Sequence, residues 1–490
     1  MTTPTPAAGP PSRSGVRRSG DHYQDLLTWV AALRVLQPQA EFTGLEMEIN
    51  GAGNVDDIVL RRQIAGDRYI QVKWTTTTSS KVDDTFLTAT TGKGKSVLQK
   101  LFASYEILSS PQSPPYLELL TNRVLDIDDP LLGHVDGRTD MLVPHASSAP
   151  LGSPARRRLD EWAAHVGVPR DALLDLFSHL VFRTGLTVNS ERDRAQVLML
   201  AAGLRHDEAA LGAGLALVAG WVRGGRRVLS AATLHHEVSE LGLQASQPRA
   251  ILLVQAIARD PHPEDADEVL DWVDLHPGQS AMSRVEPESP SHWNTMTAEL
   301  DAAVARLAEA GVQDVLIRGA LRQAAFFLVG ARLAQVTGKR VSYVQQGVLW
   351  SSDSPRLPPP PLDVVRTDLT AGDELAVAIG IAIDPTAAVT QHIRDQLPEV
   401  SRLVTLLPQS GPHDQAIKSP GQAVGYTQAI RNTVRTELEM RPSRRIHLFL
   451  AGPGGLALLL GHRWNRLAPT TVHEHLGPGR GYTAAFTVDA

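Results

Sequence analysis

The chain has 490 residues, 42% hydrophobic and 20% charged, with a formal net charge of -6; this is the composition of a globular protein of more than one domain. Without a global basic excess, any contact with nucleic acid has to use local patches. It contains no cysteine, which excludes disulfides, thiolate zinc sites and cysteine nucleophiles and fits a reducing, cytoplasmic setting.

Residues 1–18 are rich in Pro, Ser and Arg, lack the apolar core of a signal peptide, and read as a flexible tail. Apolar runs such as LGAGLALVAGWV fall short of the ~20 residues that span a bilayer, so no membrane segment is expected. From Ser19, a candidate cap, the spacing of Tyr23, Leu26, Leu27, Val30 and Leu33 predicts a helix. LEMEI, DDIVLRR and RYIQVKW read as strands, KSVLQKLFASYEIL as a helix and YLELLTN as a strand. Together they predict a compact α/β domain over 19–130. DIDDPLLGHVDGRTD is an acidic connection, and 155–281 reads as a helical linker region through LDEWAAHV, RDALLDLFSHLVF, DRAQVLMLAAGL and EVLDWVDL. VEPESPSH is a linker.

Over 290–490 strand-like and helical runs alternate: DVLIRGA, LRQAAFFLVGARLAQVTG and KRVSYVQQGVLW, then, beyond the breaker RLPPPPLD, ELAVAIGIAID, a helix behind Asp384, RLVTLLP, GQAVGYTQAIRNTVRTELEM and IHLFLAG. Two such runs predict a pair of Rossmann-like half-domains, in which ligands bind beyond the carboxyl ends of the strands.

The chemistry-bearing residues cluster early. Alternation along RYIQVKW puts Tyr69, Gln71 and Lys73 on one face and Ile70, Val72 and Trp74 on the other. An acid on one strand, Asp57, followed on the next by Gln71-Val72-Lys73, with Glu46 and Glu48 upstream, resembles the PD-(D/E)xK nuclease core. Glutamine in place of the second acid is similar to the Mrr-like branch, and the Tyr23-Gln24 pair on the first helix recurs in those domains. The resemblance implies a restriction-endonuclease-like fold and hydrolysis of double-stranded DNA with Mg²⁺ (or Mn²⁺). Asp57, Glu48 and Gln71 would be its metal ligands, with Lys73 and Gln24 completing the catalytic set. The lysine would orient or help deprotonate the attacking water and offset charge on the phosphate oxygens. Asp56 competes with Asp57 for the metal, because neighbouring strand residues face opposite ways. An exposed hairpin face carrying Gln and Lys has the same spacing.

ATTGKGKS, from Ala89 to Ser96, matches a relaxed phosphate-loop pattern, which needs a buried strand before it and a second apolar strand ending in an acid. Lys93, Lys95 and Lys100 read instead as DNA-phosphate contacts beside the nuclease site, or as a solvated loop. HHEVSE and HEH lack the HExxH spacing of a zinc site and read as solvated or capping histidines.

In the C-terminal block, Trp293, IRGALRQAAFFLVG, QQGVLW and IHLFLAGPGGLALLLGHRWN followed by TVHEH resemble the SAVED domain, a fused pair of CARF-like units found in antiviral effectors. That resemblance implies a cyclic oligonucleotide ligand (a di- or trinucleotide) made by a partner nucleotidyltransferase. The glycines around Pro453 (Gly452 and Gly454) lie between a strand and a helix, where free amides approach phosphate or ribose. Arg318, Arg322 and Lys418 are candidate phosphate contacts, and Trp350 and Tyr426 candidate stacking partners for a base; packing or solvated charge accounts equally for each alone. The whole resembles a CBASS antiphage effector, an α/β chain whose cyclic oligonucleotide drives homo-oligomerisation and activates the nuclease. Two alternatives stand beside it: a restriction-type nuclease whose C-terminal half reads DNA, and a P-loop NTPase module.

Overall fold

The structure is a computed structural model that describes residues 13–39, 41–48, 55, 57–64, 66–77, 79–90, 92, 94–110, 114–142 and 145–489. Asp56 and Lys93, both singled out in the sequence, lie outside the described residues. The chain divides into two compact α/β units between Pro248 and Arg249.

The first unit opens with α1 (Arg13–Val35), then β1 (Phe42–Met47), β2 (Ile58–Arg62), β3 (Arg68–Lys73) and the short β4 (Lys81–Val82). Next come α2 (Asp84–Thr88), α3 (Val97–Leu108), β5 (Tyr116–Thr121) and the short β6 (Val124–Leu125). α4 (His145–Ser148), α5 (Pro154–Val166), α6 (Arg170–Phe177), β7 (Leu180–Arg183), α7 (Val188–Ala201), α8 (Glu208–Arg223), β8 (Val228–Ser230) and α9 (Ala231–Glu240) complete it. Its main sheet has the order β7-β5-β3-β2-β1-β8. β3, β5 and β7 run parallel and the β1–β2–β3 meander antiparallel. β5 is interior to this sheet and buried along nearly its whole length, as a parallel strand covered on both faces should be. α3, α5 and α6 pack Leu98, Phe102, Trp162 and Phe177 over one face, against Val59, Tyr69, Leu117 and Phe182. α1 lies against β1 and β2 and against α7 and α8.

Local chemistry explains the helix starts. Ser96 caps α3 in a reciprocal capping box with Gln99, and Ser153, Thr187 and Asp207 cap α5, α7 and α8. Two expectations change here. α1 already runs from Arg13, so Ser19 is inside the helix rather than at its cap, and the helix enters the stretch read as a tail. Residues 155–281 do not form a separate helical region: β7 and β8 join the first unit's sheet, and the rest beyond Pro248 belongs to the second unit.

The second unit begins with β9 (Ala250–Gln255) and β10 (Glu268–Asp271), then α10 (Ser291–Glu309), β11 (Asp314–Arg318), α11 (Gln323–Arg332) and the hairpin β12 (Arg340–Gln345) and β13 (Val348–Ser351). Its later half holds β14 (Leu362–Asp368), β15 (Glu374–Gly380), α12 (Thr386–Gln396), β16 (Val400–Pro408), α13 (Pro420–Met440), β17 (Ile446–Ala451), α14 (Gly454–His462), β18 (Thr470–His475) and β19 (Tyr482–Val488). Two sheets result, β10-β9-β11-β12-β13 and β14-β16-β15-β17-β18-β19, each with parallel central strands and antiparallel pairing at an edge. One hydrophobic core joins the two halves. The first sheet starts at Ala250, upstream of the expected boundary at 290. AILLVQ is a fully buried parallel strand, and a short apolar run of that kind has the same pattern as a buried helix segment. EVLD, read as helix, is its partner β10.

Candidate functional site

In the first unit, the pairing register settles what shares a face. Ile58 pairs with Ile70 and Val59 with Tyr69, so Tyr69, Gln71 and Lys73 lie on the side of Val59 and Arg61, under α3. Asp57 sits one residue before β2. Its carboxylate accepts the Val72 backbone N–H at 2.7 Å and is in hydrogen-bond contact with the Gln71 side-chain amide. Two residues that the sequence set 14 apart, Asp57 and Gln71, therefore touch, and Lys73, half-buried, is the next residue along the Gln71 face.

The remaining acids divide. Glu46 is clamped by Arg61 through two bonds of 2.8 and 2.6 Å, and Arg61 also reaches Asp67. Glu48 is exposed with φ +46°, its backbone N–H 3.4 Å from the Asp57 carbonyl and its carboxylate 3.8 Å from Arg227. The Tyr23 ring lies 4.6 Å from Trp74, and its buried hydroxyl donates to the Leu186 carbonyl at 2.9 Å, fixing α1 against the residue that follows Lys73. Gln24 is beside it, half-buried.

Among the described residues no group of three or more His, Asp or Glu is placed to hold a metal ion. Asp57 with the Gln71 amide oxygen, once that amide is turned over, is a two-oxygen set; Mg²⁺ takes one or two protein oxygens and completes its shell with phosphate and water, so the residues fit. The phosphate-loop alternative fares worse. Residues 84–88 are helix α2 where that motif needs a strand, and the Ser96 hydroxyl is committed to the α3 cap and to His165 at 2.9 Å. Lys95 is exposed ahead of α3 and Lys100 half-buried on it.

In the second unit, α11 and α14 run side by side in the same direction: Phe326 meets Gly454 and Phe327 meets Gly461, while Gly330 lies against the Leu458 carbonyl. Both helix N-termini therefore open on one rim, at the carboxyl ends of β11 and β17. Gln323 donates to the Gly452 carbonyl, Gly455 N–H donates to Gln345 Oε1 at 3.1 Å, and Arg322 and Pro453 stand at the two caps. Glu474, fully buried, accepts the Ala324 N–H at 2.9 Å, and burial pushes its carboxyl up to about 7.

The predicted ligand residues are sorted by this geometry. Arg322, Gly452, Pro453 and Gly454 are brought together at the rim. Arg318 is bound there by both Asp260 oxygens at 2.8 Å, and Arg322 itself donates to the Arg284 carbonyl. Lys418 is exposed just before α13. Tyr426 and Trp350 are core residues, 0% and 5% exposed, and present no open face to a base; Trp350 packs on Gly455. Alternate apolar and small residues around each gave no sign of that depth.

That paired architecture has a family counterpart. Residues 297–488 match SAVED, the SMODS-associated and fused to various effectors sensor domain. The chain is also 22% identical to CD-NTase-associated protein 4 of Enterobacter hormaechei subsp. hoffmannii (strain UCI 50), over 93% of this chain and 95% of that one. Among solved structures, the Acinetobacter baumannii Cap4 SAVED/CARF-domain containing receptor with the cyclic trinucleotide 2'3'3'-cAAA is 15% identical, covering 96% of this chain and 99% of its own, with a TM-score of 0.46. The Moraxella osloensis Cap4 SAVED/CARF-domain containing receptor is 13% identical over 97% and 100%, with a TM-score of 0.45.

Within the SAVED-matching segment the sequence missed one cluster. Glu374, His447 and His473 form a buried chain, with Glu374 Oε2 to His447 Nε2 at 2.7 Å and His447 Nδ1 to His473 Nε2 at 3.0 Å. It borders a cavity of ≈ 630 Å³ lined by Gln391, His392, His473, His475, Arg480 and Tyr482. Burial holds both His447 and His473 below the usual imidazole range. The signal was there: IHLF and TVHEH place histidines at alternate positions of neighbouring strands. Among the described residues, no helix is long and apolar enough to cross a membrane.

Proposed function

We propose that the chain is a ligand-gated, metal-dependent DNA endonuclease of the CBASS type. In this reading the SAVED-matching unit senses a cyclic oligonucleotide, and the first unit cuts double-stranded DNA. The placement of Asp57, Gln71 and Lys73 at one end of the central β2–β3 pair carries the nuclease half; the family match carries the sensor half.

A Mg²⁺ or Mn²⁺ ion held by Asp57 and the Gln71 amide oxygen, with Glu48 as a further carboxylate, would polarise the scissile phosphate and its attacking water. The Val72 N–H holds the Asp57 carboxylate in place. Lys73 projects from the same face as Gln71, positioned to steer a water and to offset charge on the phosphate oxygens. Lys93, Lys95 and Lys100 would follow the DNA backbone. At the rim, the positive dipole ends of α11 and α14 and the Arg322 guanidinium suit the phosphates of the cyclic ligand, while Ala324 N–H and Gly455 N–H stay with Glu474 and Gln345. Ligand binding drives homo-oligomerisation to the extent that the assembled form binds it more tightly.

The test is plasmid cleavage in Mg²⁺ with and without a panel of cyclic di- and trinucleotides. The panel includes 2'3'3'-cAAA and 3'3'3'-cAAA, the compounds named for the A. baumannii receptor. Ligand-dependent cutting that Lys73→Ala abolishes, with ligand binding intact, is the expected result. Full cutting by a folded Lys73→Ala protein refutes the site; cutting indifferent to every ligand points to a restriction-type enzyme.

A further inference from the structure

At the opposite end of the α11–α14 pair from the rim, roughly the 13 Å length of α14 away, lies a second cavity of ≈ 390 Å³. Gln335, Gln428, Arg431, Asn432, Arg463 and Asn465 line it. Its two arginines are half-buried, and among the described residues neither has a carboxylate within 4 Å. Arg431 gives one bond, to the Asn465 carbonyl at 2.7 Å, and Arg463 one, to the Ser352 carbonyl at 2.8 Å. Each guanidinium has five N–H donors, and the Nε of both is buried without a partner.

Like charges brought together without a counter-ion are costly, so their retention needs a cause. A cation at a helix C-terminus gains from the dipole, which accounts for Arg463 at the end of α14. It does not account for Arg431, which sits mid-way along the 21-residue α13. Arg435 and Arg466 add positive charge around Arg431, and among the described residues only Arg435 of these has an acid near it, Glu439 at 3.7 Å. Burial first, then Arg435 and Arg466, hold Arg431 below the usual guanidinium range, and burial first, then Arg431, does the same to Arg463.

We propose that this cavity is an anion site, separate from the rim, that takes a phosphate oxyanion between the Arg431 and Arg463 guanidiniums. Two planar forks suit the several oxygens of a phosphate, and the surrounding side-chain amides offer both donors and acceptors to whatever carries it. The volume exceeds that of a bare anion and accommodates a mononucleotide.

The test uses the full chain in phosphate-free buffer at fixed ionic strength. Melting and calorimetric titration would be followed with inorganic phosphate, with adenosine 5′-monophosphate and with chloride, for the native protein, Arg431→Lys, Arg431→Gln and Arg431→Gln/Arg463→Gln. Saturable binding and a raised Tm are expected with phosphate or the mononucleotide but not with chloride. Affinity should fall about tenfold in Arg431→Lys, which keeps the charge but loses the fork, and further in the glutamine variants. Ligand-free Arg431→Gln should melt no lower than the native protein, since it relieves repulsion. A mononucleotide preferred over phosphate identifies a nucleotide as the carrier, and equal affinities identify the free anion; both uphold the site. Equal stabilisation by chloride, or phosphate binding that survives in Arg431→Lys and Arg431→Gln, overturns it.

Discussion

Glu474 is a carboxylate withdrawn from water and held on the Ala324 amide in the first turn of α11. Burial raises its pKa from 4.5 to about 7, so the folded protein keeps a proton that the unfolded chain releases. Its contribution is therefore fully present below pH 4.5 and is lost as pH rises through 7, on the order of 3 kcal/mol in all. Glu474→Gln keeps an acceptor for Ala324 N–H without titrating. Its Tm should exceed that of the native protein at pH 8, with the gap closing toward pH 5; melting curves that stay parallel across that range would remove Glu474 as the source. Buried His462, held down to about 4, gives the opposite slope, and comparing the two proteins subtracts it. HEH read as solvated or capping because spacing reports what a ligand set requires and says nothing of depth: His473 and Glu474 are interior, while His475 is exposed. That Gln71 and Lys73 share a face was legible for the complementary reason, since period-two alternation fixes a face wherever a strand is recognised, whereas the choice between Asp56 and Asp57 needed the register of β2.

At the level of elements, the seam between α11 and α14 is made by absent side chains. A Cβ on Gly330 would collide with the Leu458 carbonyl, and one on Gly461 with the Phe327 carbonyl, so the helices meet backbone to backbone. Gly330→Ala and Gly461→Ala should each destabilise the second unit by about 1–3 kcal/mol, the range for overpacking. Gly212→Ala in α8, where a Cβ meets nothing within 4 Å, should instead stabilise by about 0.5–1 kcal/mol. Denaturant midpoints for the three variants decide it; equal shifts would mean that the seam is not tightly packed. The glycines of GPGG were read as room for phosphate, but Gly454 and Gly455 make room for the Phe326 and Trp350 rings. Those partners lie over a hundred residues upstream, beyond the reach of any local pattern.

For the whole molecule, the boundary at Pro248–Arg249 has a practical test. β9 lies between β10 and β11, so a fragment starting at 290 lacks an interior strand of its first sheet. Residues 249–490 should fold and melt cooperatively, whereas 290–490 should be insoluble or non-cooperative; equal behaviour by circular dichroism would place the boundary downstream. The alternation of strands and helices after Trp293 showed the paired Rossmann-like halves. It did not show where the first begins, because one buried strand carries no periodicity to mark it.

The glycine seam also sets how this unit can move. Side chains between two helices act as a cushion that swaps rotamers and absorbs small slides; at Gly330 and Gly461 carbonyls bear directly on the opposing backbone instead, and the Phe326 ring fills the seam only at its Gly454 end. α11 and α14 are therefore packed most tightly between the rim at one end and the arginine-lined cavity at the other. Where Gly330 and Gly461 meet the opposing backbone, neither helix can slide along the other without a clash.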